Sequence, residues 1–286
     1  VKKNLGEELS KHAYDVILVD AMNVSAIHFH SKQMLSYKGK PTGMLYGVMR
    51  LVRTLKDTYP LIPIVFLWEG KKSLRKAMYP EYKGNRLLKK DRGFAESLAD
   101  VSYALPLSGV IQISHLGLEA DDLAGYYSTR YDRALLVSND KDWWQFAEPG
   151  KVDVMIKTEV FTYEKLQVRL GYPPEKIPLL KILKGDSSDN VSGIPRFPMK
   201  LAMQVLDKAN TSADLISVVD SLSAKWGKVL HDSSDLLKRN SDLISYHERW
   251  VRPKEIVTLP PESNASVLSR FLRSRGIKSL AQGWFG

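Results

Sequence analysis

The chain has 286 residues, 44% hydrophobic and 26% charged, with 42 Lys+Arg against 32 Asp+Glu and no cysteine. Such a length can bury a real core as one large or two modest domains, and the composition is ordinary for a globular protein. The missing cysteine excludes disulfides, zinc–thiolate sites and a thiol nucleophile, while a net charge of +10 points to a polyanionic partner such as nucleic acid.

The N-terminal VKKNLGEELSKHAYD has no apolar segment of signal-peptide type, and the most apolar run, Leu61 to Trp68, is too short to span a bilayer. A cytoplasmic protein with no membrane partner is therefore expected. In chain order, apolar runs at Val16–Val19, Ile64–Leu67, Val110–Ile113, Ala134–Val137 and Val152–Ile156 read as buried parallel strands. Helical spacing lies between them at Gly43–Lys56 and Glu119–Arg130, an alternation that signals a parallel α/β sheet covered on both faces.

After about residue 160 the strands are expected to stop. Thr162 can cap a helix to Leu170, where Gly171 supplies the stop, and Pro178 suits the first turn of a helix ending near Lys184. Pro198 opens a further helix, Met199–Ala209, and helical pattern continues through Ser212–Leu222 and Leu230–His247. The expected fold is thus α/β, with a mainly parallel central sheet flanked by helices over residues 1–160 and a helical region over 161–286, packed as one unit.

Charge is concentrated. Lys71 to Arg92 holds nine Lys/Arg against Glu81 and Asp91, and the segment from Ser263 onward holds four Lys/Arg and no acid. This is an electrostatic footprint for a polyanion rather than a uniform coat.

The acids are ordered too. Three strands end in a carboxylate: Asp20, Glu69 and Asp140. In open α/β sheets the crevice lies outside the carboxyl ends of the strands. One acid there is more often a cap; three, with paired acids nearby, suggest a site. Glu119-Ala-Asp121-Asp122 opens a helix, Asp140-Lys-Asp142 places two acids two residues apart, and Asp186-Ser-Ser-Asp189 lies in a turn. If these nine carboxylates converge they need compensation, and hard divalent cations, Mg²⁺ or Mn²⁺, suit all-oxygen ligands. Trp143 and Trp144 follow directly and read as core residues.

The motifs LVDAMN (18–23), PEYKGNR (80–86), GLEADD (117–122), SNDKD (138–142) and KGDSSDN (184–190) resemble the 5′ nuclease family. That family comprises flap endonucleases and the 5′–3′ exonucleases of bacteriophages or fused to bacterial DNA polymerase I, and the free-standing phage enzymes look most similar. The resemblance runs from about residue 14 to 210 and implies a PIN-like core with a helical arch at about 80–105 and a helix–turn–helix at about 175–210. It implies hydrolysis of DNA phosphodiesters to a 5′-phosphate and a 3′-hydroxyl, at two Mg²⁺ for which Mn²⁺ can substitute.

Asp20, Glu69, Glu119 and Asp121 would surround one ion with Asp122 close by, and Asp140, Asp142 and Asp186 the second, with Asp189 reaching it through water. Lys83 and Arg86 match the basic pair that binds the scissile phosphate, with Lys89 and Lys90 as arch residues facing DNA. Tyr82 could stack on an unpaired base or pack at the base of the arch. Lys181 and Lys200 would grip a duplex backbone.

The chain also departs from the family's pattern. Glu69 stands where Asp is common, the segment between PEYKGNR and GLEADD is short, and Ile194-Pro-Arg-Phe-Pro198 replaces a glycine-rich hairpin that binds a monovalent cation. Arg196 could supply that charge, which leaves a K⁺ site open. The expected partner is DNA, as 5′ flaps, nicks, duplex ends and possible RNA–DNA hybrids, met by a monomer. Two other readings are an RNase H-like nuclease that removes RNA primers and an inactive binder of DNA structures. Binding alone gains nothing from nine carboxylates near phosphate.

Overall fold

The structure, a computed structural model, describes residues 14–32, 34–85 and 92–284. Arg86, Lys89 and Lys90 lie outside the described residues. The sheet strands are β1 (Val16–Asp20), β4 (Ile64–Trp68), β5 (Ile111–His115), β6 (Ala134–Val137), β7 (Val152–Ile156), β8 (Glu159–Phe161) and β11 (Ile256–Leu259), in the order β11-β5-β4-β1-β6-β7-β8. A hairpin of β2 (Ser36–Tyr37) and β3 (Lys40–Pro41) stands apart.

All five residues of β1 are buried, as a strand covered on both faces requires. It pairs in parallel with β4 on one side and β6 on the other, with Leu18 opposite Val65 and Leu136. The chain leaves β1 toward β4 and β5, then returns across it to β6 and β7. The carboxyl end of β1 is therefore the switch point where such sheets open a crevice.

Helices α1 (Ala21–Ser31), α2 (Gly43–Thr58) and α4 (Arg92–Leu107) cover one face of the sheet, where Val48, Val52 and Leu105 are buried among Ile17, Phe66 and Leu135. A short α3 (Leu74–Met78) follows β4. The other face packs Leu123 of α5 (Ala120–Ser128) and Trp143 of α6 (Lys141–Trp144) onto Leu18 and Leu136.

The helical region begins with α7 (Tyr163–Leu170), which ends at Gly171 with φ 79° as its sequence requires. Next, α8 (Ile177–Lys184) and α9 (Met199–Leu206) flank a tight hairpin of β9 (Gly185–Asp186) and β10 (Val191–Ser192). They form a separate apolar cluster through Ile182, Leu183, Phe197 and Val205. Then come α10 (Leu215–Leu222), α11 (Ala224–Asp232), α12 (Ser234–Ile244) and α13 (Ala265–Ser274).

Three expectations change. Strands do not stop at residue 160, because β11 returns to pair antiparallel with β5, Ile256 opposite His115. As an edge strand it is mostly exposed, so it lacks the apolar run that marks a buried one. The expected helix Leu230–His247 is two helices with a break at Ser233. The C-terminal part of the expected arch is core: Val101, Ala104 and Leu105 are fully buried, and α13 adds Leu268 and Leu272 to that core. Arg275 grips Asp100 of α4 through two bonds of 2.6 and 2.8 Å. Among the described residues no helix is long and apolar enough to cross a membrane.

Candidate active site

Asp20 ends β1 and caps α1, its Oδ1 accepting the amide of Asn23 at 3.0 Å and its Oδ2 the hydroxyl of Ser138 at 2.8 Å. Burial raises its pKa to about 7; those two hydrogen bonds oppose the shift, and the neighbouring charges of Asp140 and Glu69 add to it. Burial also raises Asp121, as do the charges of Asp20, Asp142 and Asp140. Asp142 is raised by burial and by Asp140 and Asp186, against the opposing charge of Lys181. The strand-end acids and the paired acids thus act on one another.

Glu119, Asp121, Asp122, Asp142, Asp186 and Asp189 line one crevice. Carboxylate oxygens of Asp142, Asp186 and Asp189 lie within 4.8 Å of one another. Asp121 is aimed by the Trp143 indole, which donates to it at 2.6 Å from the core. The donors are hard oxygens throughout, the chemistry that suits a divalent cation of the Mg²⁺ type.

Lys83 reaches this crevice from a strained backbone. Its φ is 55°, a left-handed value that costs a non-glycine residue energy. The turn is held by the loop opposite: Lys83 donates its amide to the Asp189 carbonyl at 2.8 Å, Asn85 its side-chain amide to the Ser187 carbonyl at 2.7 Å, and Asn190 its own to the Glu81 carbonyl at 2.8 Å. The PEYKGNR and GDSSDN segments are therefore docked on each other. The Lys83 ammonium lies 2.8 Å from Glu119. Burial works against its charge, but Glu119, Asp189 and Asp121 outweigh burial and its pKa rises.

Two further cations offset the acids. Arg75, 5% exposed, donates to both oxygens of Asp122 at 2.5 and 2.7 Å and to the carbonyls of Leu243 and Ser245 at 2.9 and 3.2 Å. One guanidinium thereby ties α3, the start of α5 and the end of α12. Lys181 on α8 is hydrogen-bonded to both Asp142 and Asp186, 2.6 Å from the latter. Burial opposes ionisation of Asp186, yet its bonds to Lys181 and Ser188 outweigh burial and lower its pKa.

The geometry alters some of the expected roles and keeps others. Asp122 has both oxygens on Arg75. Tyr82 is 4% exposed and donates between Glu119 and Asp189, each at 3.1 Å, so it packs at the base of the arch rather than offering its ring to a base. Lys181 turns into the crevice instead of out toward a duplex. Glu69 and Asp140 are exposed at their strand ends, and Trp143 and Trp144 are core. Arg196 and Lys200 are exposed around the hairpin between α8 and α9.

The hairpin that departs from the glycine-rich pattern is bonded by protein donors. The carbonyls of Ser192, Ile194 and Phe197 already accept from Asn240, the Phe197 amide and the Lys184 ammonium, at 2.8, 3.2 and 2.6 Å. Sequence reading missed Arg75, because it stands in a run of basic residues that reads as one solvated face; nothing in the local pattern sets it apart.

Two predictions follow from these charges. Arg75→Met strands the buried Asp122 carboxylate, and urea unfolding should register a loss of about 3–5 kcal/mol; adding Asp122→Leu should restore most of it. A wild-type stability for Arg75→Met alone contradicts the pairing. Second, Asp20 has a folded pKa near 7 against an ordinary value of 3.8, so the folded state holds an extra proton in between. The metal-free protein should lose stability as pH rises from about 4 to 7 and level off above, and Asp20→Asn should flatten that slope. Equal slopes in thermal melts of the two proteins would refute the assignment.

Residues 15–171, more than half of the chain, match the family model described as the 5′-3′ exonuclease, N-terminal resolvase-like domain. A 5′-3′ exonuclease of Buchnera aphidicola subsp. Schizaphis graminum is 28% identical over 218 residues, 73% of this chain and 75% of that protein. DNA polymerase I of Bacillus subtilis is also 28% identical, over 91% of this chain, which spans only 29% of the polymerase. Among solved structures, T5 D15 protein co-crystallised with metal ions aligns with TM-score 0.67 at 22% identity, covering 93% of this chain and 99% of the other. The catalytic core of Rad2 in complex with DNA substrate aligns with TM-score 0.56 at 14% identity, over 93% and 89%. At those identities the structures establish the fold, and the family model, whose matched range takes in the acids from Asp20 to Asp142, establishes that the chain belongs to the 5′-3′ exonuclease family.

Proposed function

We propose that this chain is a divalent-metal-dependent, structure-selective 5′ nuclease, a 5′–3′ exonuclease and flap endonuclease that hydrolyses DNA in replication or repair. The observation that carries the reading is the meeting of acids from three separate segments, Glu119 to Asp122, Asp142, and Asp186 to Asp189, in one crevice beside Lys83. The relatives support it: a T5 D15 flap endonuclease variant is described as a pseudo-enzyme-product complex with DNA and metal ions. We place the protein in the cytoplasm, as a monomer.

We assign Asp20, Glu69, Glu119 and Asp121 to one Mg²⁺ and Asp140, Asp142 and Asp186 to a second, with Asp189 beside it and Mn²⁺ able to replace either. Asp122 serves Arg75 instead. Bound divalent ions supply Lewis acidity to the phosphoryl oxygens and the attacking water. The water oxygen forms a bond to phosphorus, the bond from phosphorus to the 3′ oxygen breaks, and that oxygen gains a proton. A 5′-phosphate and a 3′-hydroxyl result.

The chain's own residues position and neutralise. Lys83 can shift its ammonium from Glu119 to a non-bridging oxygen of the scissile phosphate, where charge builds in the transition state. Arg86 is the second candidate for that contact. Lys200 and Arg196, exposed near the start of α9, suit a phosphate backbone gripped without reading sequence.

Purified protein should cut 5′-flap, nicked or blunt duplex DNA in Mg²⁺ and stay inactive in EDTA; failure on all three substrates sinks the reading. Asp142→Asn should lower turnover on the order of 100-fold or more. Its flap binding in Ca²⁺, followed by fluorescence anisotropy, should persist, and normal turnover would remove Asp142 from the site.

A further inference from the structure

A second cavity, of about 420 Å³, is lined by residues of α1, α2, β6 and β7 and of the segments that follow those strands. Its size falls within the roughly 300–1,000 Å³ of small-ligand sites. Its walls are apolar, with Ile27 from α1, Leu51 from α2 and Met155 from β7 facing one space. Ile27 is 37% exposed although it is a large aliphatic side chain. The rim carries Lys32, Arg50 and Lys157, and no lining residue is acidic. None of these three cations is ion-paired with any described residue. That differs from the crevice, where Arg75, Lys83 and Lys181 all have carboxylate partners.

The cavity also holds an unsatisfied polar atom. His28 lines it, and its Nδ1 is buried without a hydrogen-bond partner among the described residues. Burial, with the charge of Lys32, lowers the His28 pKa to about 4, so the ring is neutral near pH 7 and can donate or accept.

The cavity is joined to the catalytic centre by short links. Asn139, which lines it, accepts the Lys157 amide at 2.7 Å and donates its own amide to Asn23 at 3.1 Å. Ser138, also on its wall, donates to Asp20 at 2.8 Å. Along α1, Asn23 and Ile27 are one helical turn apart, a rise of about 6 Å.

We propose that this cavity binds a nucleoside monophosphate unit, with the base against Ile27, Leu51 and Met155 and the phosphate among Lys32, Arg50 and Lys157. A flat apolar ring system with an anion at one end matches an apolar slot with an acid-free cationic rim, and a phosphodiesterase crevice next door supplies that chemistry. The identity of the ligand rests on the nuclease reading. Two sources share it: a free mononucleotide released by cleavage, and an unpaired nucleotide of the bound DNA.

The test uses the full chain in EDTA, so that no turnover intervenes. Thymidine 5′-monophosphate is titrated by calorimetry into wild type and into Arg50→Glu/Lys157→Glu, whose folding is checked by circular dichroism; both side chains are on the rim, outside the catalytic crevice. In parallel, 2-aminopurine is placed at successive positions of a flap substrate and its fluorescence followed on binding. Saturable nucleotide binding, about tenfold tighter than for thymidine or inorganic phosphate and lost in the charge-reversed variant, supports the site and a free ligand. A fluorescence change confined to one unpaired position and lost in that variant supports the site and names the strand as the source. Neither result, or equal behaviour of variant and wild type, overturns the proposal. Cleavage of flap DNA in Mg²⁺ by the same preparation is scored separately, so failure here leaves the nuclease reading standing.

Discussion

Carboxylates crowded at one end of a parallel sheet repel one another, and the surrounding structure is arranged around that repulsion. Oxygens of Asp142, Asp186 and Asp189 within 4.8 Å of one another imply roughly 3–4 kcal/mol of repulsion per charged pair at an effective dielectric of about 20. Three protein cations answer it, each from a different stretch of chain: Arg75 on Asp122, Lys83 on Glu119, and Lys181 on Asp142 and Asp186. Site and fold are coupled through them. The guanidinium that neutralises Asp122 also fastens the end of α12, and the turn that aims Lys83 is fastened to the loop of Asp189.

How much of this was legible depended on the kind of signal each residue carries. Asp20, Glu69 and Asp140 stood out because each ends a short apolar run, and a strand end in a parallel sheet is a place with known geometry. The start of α5 and the stop at Gly171 were visible from local rules alone. Arg75 was not, since its partners lie 47 and about 170 residues away and a basic neighbourhood hid it. Lys181 reads from sequence as an outward-facing cation, and Tyr82 as either a base-stacking ring or a packing residue at the base of the arch. Only the tertiary docking of loops 81–85 and 187–190 turns Tyr82 inward, and only the approach of α8 to Asp142 does so for Lys181. The edge strand β11 escaped because half-exposed strands lack the apolar run that buried ones require.

The departures from the family pattern also take physical form. Glu69 is exposed at its strand end, with one methylene more than an aspartate to reach the crevice. At the hairpin between α8 and α9, the Ser192 carbonyl accepts from Asn240 and the Phe197 carbonyl from Lys184. Lys200 and Arg196 around that hairpin, and Arg50 and Lys157 at the cavity lined by α1 and α2, are exposed cations suited to a polyanion.

Protein cations hold the crowded acids in a form ready to accept divalent ions. A titration of the metal-free protein with Mn²⁺, read by electron paramagnetic resonance, tests it most directly. Two ions should bind per chain, with one site lost or strongly weakened in Asp142→Asn. No saturable binding, or a titration unchanged by that substitution, would contradict it.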